Sequence, residues 1–139
     1  MANAASIKKP GRLYCWLTGM TPSVRPENWH GPWGLEIAHI ASGGGRAVRK
    51  DDARAVVLFS SLAHRLHVSD SDRLPTMTIC SREWPTIDER HALWIKKHID
   101  PENFDSDYLQ SIWIGKLPEP VRPPDEFCKM FYRNTGMLR

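Results

Sequence analysis

Three histidines lie close together in the first half of the chain, and their residue type suits two roles in phosphoryl chemistry. His39 lies in the apolar run "LEIAHI", and His64 and His67 follow in "SSLAHRLHV". Histidine has a reference pKa of about 6.5, which suits a general base near neutral pH, and neutral imidazole is a common metal ligand. A strand-borne His39 facing two helix-borne histidines would supply both a base and a cation site for phosphodiester hydrolysis.

A glycine-rich, basic segment separates the first histidine from the other two. It has no apolar periodicity, which predicts a loop. The net charge of the chain is only +3, so the indication of nucleic-acid binding comes from clustering and not from the total charge. Asp51 and Asp52 partly offset the cluster. We expect the basic side chains of the loop to bind the phosphates of nucleic acid, most simply DNA: Arg46, Arg49, Lys50 and Arg54.

The elements that must position these histidines can be predicted from hydrophobic patterning. The alternation of "LEIAHI" predicts a short strand on which Glu36 and His39 point to opposite faces. The β-branched run "AVVLF" predicts a second strand. "SSLAHRLHV" predicts a helix that Ser60 or Ser61 caps, with His64 and His67 on one of its faces.

Two further helices are predicted downstream. Thr86 and the residue three positions later, Glu89, form the pattern of a capping box, so a helix should begin there. In "DPENFDSDYLQSIWIG" a helix could begin at Asp100 or at Asp105–Ser106 and should end at Gly115. Four prolines in residues 117–124 predict an extended segment, which leaves residues 125–139 as a tail that either forms a short helix or wraps the domain.

Length and composition predict one globular domain with irregular ends. The chain has 139 residues, of which 41% are hydrophobic and 25% charged, values that are ordinary for a globular protein. We expect a flexible basic tail over residues 1–12, a single domain over 13–115, and a proline-rich tail over 116–139. No apolar segment resembles a secretory signal or a membrane span, so a cytoplasmic protein with free thiols is expected.

The order of these motifs resembles the HNH endonuclease family. The similarity covers about residues 13–70 and is carried by "CWLTG", "EIAHI", the glycine-rich loop, "DD" and "AVVLFSSLAHRLH", an order similar to that of the small HNH proteins of phages and bacteria. The resemblance implies an α+β fold with a ββα-metal core at about residues 35–68 and a helical extension at about 86–115. It also implies a bacterial or phage-encoded DNA endonuclease with His39 as general base, His64 and the displaced His67 as metal ligands, and one divalent cation (Mg, Mn, Ni or Zn).

The chain departs from the family pattern at several positions. Ala38 stands where a metal ligand usually precedes the base, and Ala55 stands where an asparagine is expected. The paired cysteines that hold a structural zinc in many relatives are missing, so a four-cysteine zinc site is excluded by ligand count. Glu36 and His30 are the nearest substitutes for the missing ligand.

Three functions therefore remain open after the sequence is read. The first is a metal-dependent endonuclease. The second is a catalytically inactive HNH-like module that binds nucleic acid or a protein. The third is a structural or interaction protein that uses its tryptophan-rich surface and proline tail.

Overall fold

The computed structural model describes residues 3–41, 52–68 and 74–137. These residues form an α+β fold with two small antiparallel sheets and four α-helices. No helix among them is long and apolar enough to cross a membrane. The strands are β1 (Leu35–His39), β2 (Val56–Ser60), β3 (Thr76–Ile79) and β4 (Arg82–Pro85). The α-helices are α1 (Ser61–Leu66), α2 (Glu89–Ile99), α3 (Ser106–Ile112) and α4 (Asp125–Thr135). Short 3-10 helices lie at Ala4–Ile7, Ala53–Ala55 and Pro101–Asn103.

The first sheet places the two predicted strands side by side. β1 pairs antiparallel with β2 in a register that sets Leu35 opposite Ser60 and His39 opposite Val56. All five residues of β2 are buried, which explains the uninterrupted apolar run in the sequence. Trp16, itself fully buried, donates its backbone N–H to the Leu58 carbonyl at 2.8 Å and covers the outer edge of β2.

Helix α1 begins directly after β2, as the sequence predicts. The Ser60 hydroxyl accepts a hydrogen bond from the Ala63 N–H at 3.1 Å, so Ser60 is the N-cap. Ser61 instead ties the helix to the residue before β1, because its N–H donates to the Gly34 carbonyl at 3.0 Å. These bonds fix the first turn of α1 against the start of β1. The helix ends at Leu66, earlier than expected, and His67 is its C-cap residue.

The second sheet is a hairpin that hydrophobic patterning did not predict. β3 and β4 are joined by Cys80 and Ser81, whose φ angles of 51° and 65° are both positive, as a two-residue hairpin turn requires. Only Ile79 and Trp84 of the hairpin are buried. With so few buried positions the alternation is too short to recognise.

The N-cap of α2 lies two residues after the predicted one, so the predicted capping residues were wrong. Asp88 is the N-cap: its carboxylate accepts from the Arg90 N–H at 2.9 Å, and His91 Nδ1 accepts from the Asp88 N–H at 3.0 Å. Thr86 instead donates its hydroxyl to the Leu74 carbonyl. The predicted capping box of Thr86 and Glu89 thus lies two residues before the actual box of Asp88 and His91. Asp105 does cap α3, through the Tyr108 N–H at 2.9 Å.

Segments near both ends of the chain pack into the core: the N-terminal one in contrast to the flexible tail expected there, and the C-terminal one as a helix, which had been left open for residues 125–139. Ile7 in the first 3-10 helix is fully buried. In α4, Phe127 and Phe131 are also fully buried, and the Phe127 ring stacks parallel to Trp84 with centroids 6.2 Å apart. Prolines do separate α3 from α4, and no helix or strand is assigned over residues 117–124.

A buried ion pair joins α2 to the short 3-10 helix that precedes β2. Lys96 Nζ lies 2.7 Å from Asp100 Oδ2 and donates to the Ala53 carbonyl at 2.6 Å, and both charged side chains are fully buried. Arg12 reaches the other carboxylate oxygen of Asp100 at 3.0 Å. Burial lowers the pKa of Lys96, while the hydrogen bond to Asp100 opposes that shift. Through these contacts the pair holds together α2, Ala53 before β2 and Arg12 in the N-terminal segment.

Candidate functional site

A glutamate, a histidine and a serine meet where β1 packs against α1. Glu36 Oε1 lies 2.7 Å from His64 Nδ1, and Glu36 Oε2 accepts a hydrogen bond of 2.6 Å from the Ser61 hydroxyl. The fixed first turn of α1 sets Ser61 and His64 over the start of the strand. About a third of the Glu36 side chain and two fifths of the His64 side chain are exposed, so the pair faces solvent on one side.

The carboxylate defines how the imidazole can act. A carboxylate at Nδ1 favours the tautomer with the proton on that nitrogen, and Nε2 is then the acceptor. The same arrangement orients histidines that bind metals and histidines that act as general bases. We refer to Glu36 and His64 as the carboxylate–imidazole pair.

Sequence reading considered Glu36 only as a substitute metal ligand. Its partnership with His64 depends on how α1 crosses β1, which is a tertiary relationship. The available signal was a strand glutamate on the opposite face from His39.

His39 lies on the other face of β1 from the carboxylate–imidazole pair. It is three positions after Glu36, and successive strand residues point to opposite faces, so an odd separation places the two side chains on opposite sides of the sheet. Because His64 bonds to Glu36, His39 and His64 also lie on opposite sides of β1. His39 itself is half-buried. The structure therefore does not bring the predicted base together with the predicted helix ligand.

His67 is the C-cap residue of α1, directly after the last helical residue, Leu66. It continues from α1 into a bridge to Ile87, with Val68 donating its N–H to the Ile87 carbonyl at 2.9 Å. Its ring meets Phe59 edge-on, with centroids 5.8 Å apart. Burial, reinforced by the nearby His64, lowers the pKa of His67 to about 4. His67 is thus a neutral ring packed against the core at neutral pH.

The described residues do not fit the single-cation site that the resemblance implies. No group of three or more histidine, cysteine, aspartate or glutamate side chains within residues 3–41, 52–68 and 74–137 is arranged to hold a metal ion. Ala38, on the same strand face as Glu36, provides no donor at the position where the family has a ligand. The assignments of His39, His64, His67 and a divalent cation stay predictions, and no chemical step below depends on a metal.

An open cleft lies beside the carboxylate–imidazole pair. It has a volume of ≈260 Å³ and is lined by Trp29, Pro32, Glu36, Ser61, His64 and Arg65. Arg65 lies over the Trp29 ring, with its guanidinium carbon 4.0 Å from the ring centroid, and donates to the His30 carbonyl at 2.8 Å. His30 is exposed and contributes this carbonyl to hold Arg65. The cleft thus combines a histidine, its carboxylate and an arginine within reach of solvent.

Of the predicted phosphate-binding residues, only Arg54 is described. Its guanidinium lies 2.8 Å from Asp52 and 3.3 Å from Asp105, and it stacks over the Tyr108 ring at 3.6 Å. Hydrogen bonding to Arg54 lowers the pKa of Asp52 and outweighs the opposing effect of burial. Arg54 thus links the residues just before β2 to the start of α3. The other three residues, Arg46, Arg49 and Lys50, lie outside the described residues.

A larger groove lies between the loop after residue 17, β4 and α4. Its volume is ≈570 Å³, and its walls include Met20, Val24, Trp33, Trp84 and Met130. Val24 is 79% exposed and Met20 is 49% exposed. Arg82 and Arg133 also line this groove. Its apolar, weakly basic walls suit packing against another molecule better than hydrolysis.

Comparison with family models, with curated proteins and with solved structures found no match to this chain.

Proposed function

We propose that this chain is an HNH-like ββα module that hydrolyses phosphodiester bonds in nucleic acid, with DNA as its substrate and the carboxylate–imidazole pair at the reacting centre. The observation that carries the proposal is the 2.7 Å contact between Glu36 and His64 in an open cleft, where β1, β2 and α1 follow one another in the order that the resemblance implies. An imidazole oriented by a carboxylate can accept a proton from water as the water attacks phosphorus. Ser61 adds a second restraint, because its hydroxyl holds the Glu36 carboxylate in place.

The proposed chemistry places the proton transfer at one nitrogen. With Nδ1–H directed at Glu36, Nε2 of His64 accepts the proton of the attacking water. The resulting imidazolium is stabilised by the adjacent carboxylate. It can then return the proton to the departing ribose or deoxyribose oxygen, so that charge and protons balance over the reaction.

A second candidate is a module of the same fold that binds nucleic acid without cutting it. The placement of His39 and His64 on opposite faces of β1, with Ala38 at the position where the family has a metal ligand, favours this function over a metal-dependent nuclease. Binding would then use basic side chains, among them the predicted phosphate-binding residues Arg46, Arg49 and Lys50.

Nicking of supercoiled plasmid separates the two candidates and also tests the divalent cation. Purified protein is incubated with plasmid in Mg²⁺, Mn²⁺, Ni²⁺, Zn²⁺ or EDTA, beside His64→Ala, Glu36→Gln and His39→Ala. We expect nicking that His64→Ala abolishes and Glu36→Gln strongly reduces. Loss with His39→Ala alone would return the base to that residue. Absence of nicking under every condition, with plasmid still bound in a gel-shift assay, would establish the second candidate.

A further inference from the structure

The arginine beside His64 is held differently from most of the other arginines in the described part of the chain. Arg65 contacts an aromatic face and a backbone carbonyl, and no carboxylate of the described residues pairs with it. By contrast, five arginines are each within ion-pair distance of a carboxylate: Arg12, Arg54, Arg82, Arg90 and Arg122. The charge of Arg65 is therefore not compensated by a carboxylate from these residues.

The contacts of Arg65 also fix its orientation. Trp29 is buried, with 2% of its surface exposed, and its Nε1–H donates to the Pro32 carbonyl at 3.0 Å. Trp33 packs edge-on against it, with centroids 4.9 Å apart. A guanidinium stacked on this fixed ring and bonded once to His30 keeps most of its five N–H donors for another acceptor. Less side-chain freedom is then lost when an anion binds.

We propose that Arg65 is the phosphate-binding residue of this cleft and that Trp29 and the His30 carbonyl hold its guanidinium ready for a phosphodiester of nucleic acid. This inference rests on the proposed function for its substrate class. The fork geometry of guanidinium matches two phosphate oxygens, and its charge offsets the negative charge that the attacking water adds. Arg65 and His64 are consecutive on α1 and line the same cleft, so one phosphate can meet both.

Binding without cleavage provides the test. A fluorescently labelled single-stranded oligonucleotide is titrated in EDTA with the wild-type chain, Arg65→Gln, Arg65→Lys and Arg25→Gln, and the anisotropy is followed at several salt concentrations. Arg25 is exposed and does not line the cleft, so its substitution removes the same charge elsewhere. A neutral methylphosphonate oligonucleotide and inorganic phosphate as competitor distinguish a nucleic-acid backbone from a free anion.

We expect Arg65→Gln to weaken oligonucleotide binding about tenfold, the effect of losing one charge-assisted hydrogen-bonding group. It should also reduce the slope of log affinity against log salt by about one, as the loss of one phosphate contact predicts. Arg65→Lys, which keeps the charge but not the planar fork, should recover only part of the affinity. The neutral oligonucleotide should bind equally to the wild-type chain and to Arg65→Gln.

Equal losses in Arg65→Gln and Arg25→Gln would overturn the inference, as would an unchanged salt slope. Stronger competition by inorganic phosphate than by an unlabelled oligonucleotide would assign the cleft to a free anion. The two proposals fail separately: binding that depends on Arg65 without plasmid nicking contradicts only the hydrolytic function, and nicking with binding indifferent to Arg65 contradicts only this inference.

Discussion

Glu36 Oε1 lies 2.7 Å from His64 Nδ1, and this contact joins the first strand of the fold to the first helix. The two residues are 28 positions apart in the chain: Glu36 lies on β1 and His64 lies on α1. The contact orients an imidazole in an open cleft and selects one of its tautomers. It is the relationship from which the proposed chemistry follows.

The tautomer of His64 is therefore a direct prediction. In the wild-type chain, nitrogen chemical shifts of the neutral imidazole should report a proton on Nδ1, because that nitrogen faces a carboxylate. Glu36→Ala removes the acceptor, and the signal should move to the Nε2–H form that free imidazole prefers. Ser61→Ala serves as the matched control, since it removes a hydrogen bond to Glu36 and leaves the contact with His64. An Nε2–H tautomer in the wild-type chain would contradict the assignment of Nε2 as the proton acceptor.

The final helix should be essential to the fold. Phe131 is fully buried and meets Tyr14 with ring centroids 5.6 Å apart, so the segment after the prolines packs on the start of the chain. Truncating a buried phenylalanine to alanine costs about 3–5 kcal/mol. Phe131→Ala should lower the free energy of unfolding by that amount in urea titrations, while Tyr132→Ala on the exposed side of the same helix should change it far less. Similar values for the two variants would show that residues 125–135 are a dispensable tail.

Local signals in the sequence predicted the elements around the candidate site. Alternation marked β1, the buried run marked β2, and Ser60 marked the start of α1, and each lies within a residue or two of its predicted place. Such features depend on a few neighbouring residues, so they can be read without knowledge of the tertiary structure. The order strand–loop–strand–helix follows from them.

The site itself could not be predicted, because it depends on which faces meet. Glu36 and His39 were correctly expected on opposite faces of the strand, but the sequence does not state which face α1 covers. Whether His64 and His67 share a face stays a prediction, because α1 ends at Leu66 and His67 is its C-cap residue. A single turn of helix decides whether two histidines converge, and helix ends are set by tertiary contacts such as the bridge from His67 to Ile87.

The packing of the N-terminal segment was missed for a related reason, while a short helix or a tail wrapped around the domain had been left open for residues 125–139. Proline and charge predict irregular structure locally, yet Ile7 and Phe127 are buried by contacts with residues far away in the chain. Helix α4 follows Pro124, and its apolar residues recur at helical spacing, with Phe127 and Phe131 four positions apart. That periodicity was the available signal.

Removing one member of the buried pair between Lys96 and Asp100 should be strongly destabilising. Asp100→Ala would leave the Lys96 ammonium buried with only the Ala53 carbonyl as a hydrogen-bond acceptor among its described contacts. The loss of one partner from a buried ion pair costs about 3–5 kcal/mol. Lys96→Met should cost less, because the Asp100 carboxylate keeps its bonds from Arg12 and Asn103. Chemical denaturation of both variants measures the difference, and a larger loss for Lys96→Met would contradict this account.

The buried imidazole of His67 should make the stability of the fold depend on pH in a defined range. Burial lowers its pKa from 6.5 to about 4, so the folded state keeps the ring neutral where the unfolded chain protonates it. The unfolded state then binds more protons between pH 6.5 and pH 4, and the free energy of unfolding should fall as the pH falls through that range. The stabilisation that the neutral His67 ring provides is complete above its pKa of 6.5 in the unfolded chain. Its total loss at low pH is on the order of 3 kcal/mol.

Urea titrations at pH 7 and at pH 4.5 measure this effect. His67→Gln, which cannot be protonated, should flatten the dependence across that range, while His98→Gln on the exposed side of α2 serves as the matched control and should leave it unchanged. Asp88 titrates separately: the bonds from Arg90 outweigh the effect of burial and lower its pKa to about 2, so its contribution is lost only below the ordinary value of 3.8. If His67→Gln retained the full wild-type slope between pH 7 and pH 4.5, the lowered pKa assigned to His67 would be wrong.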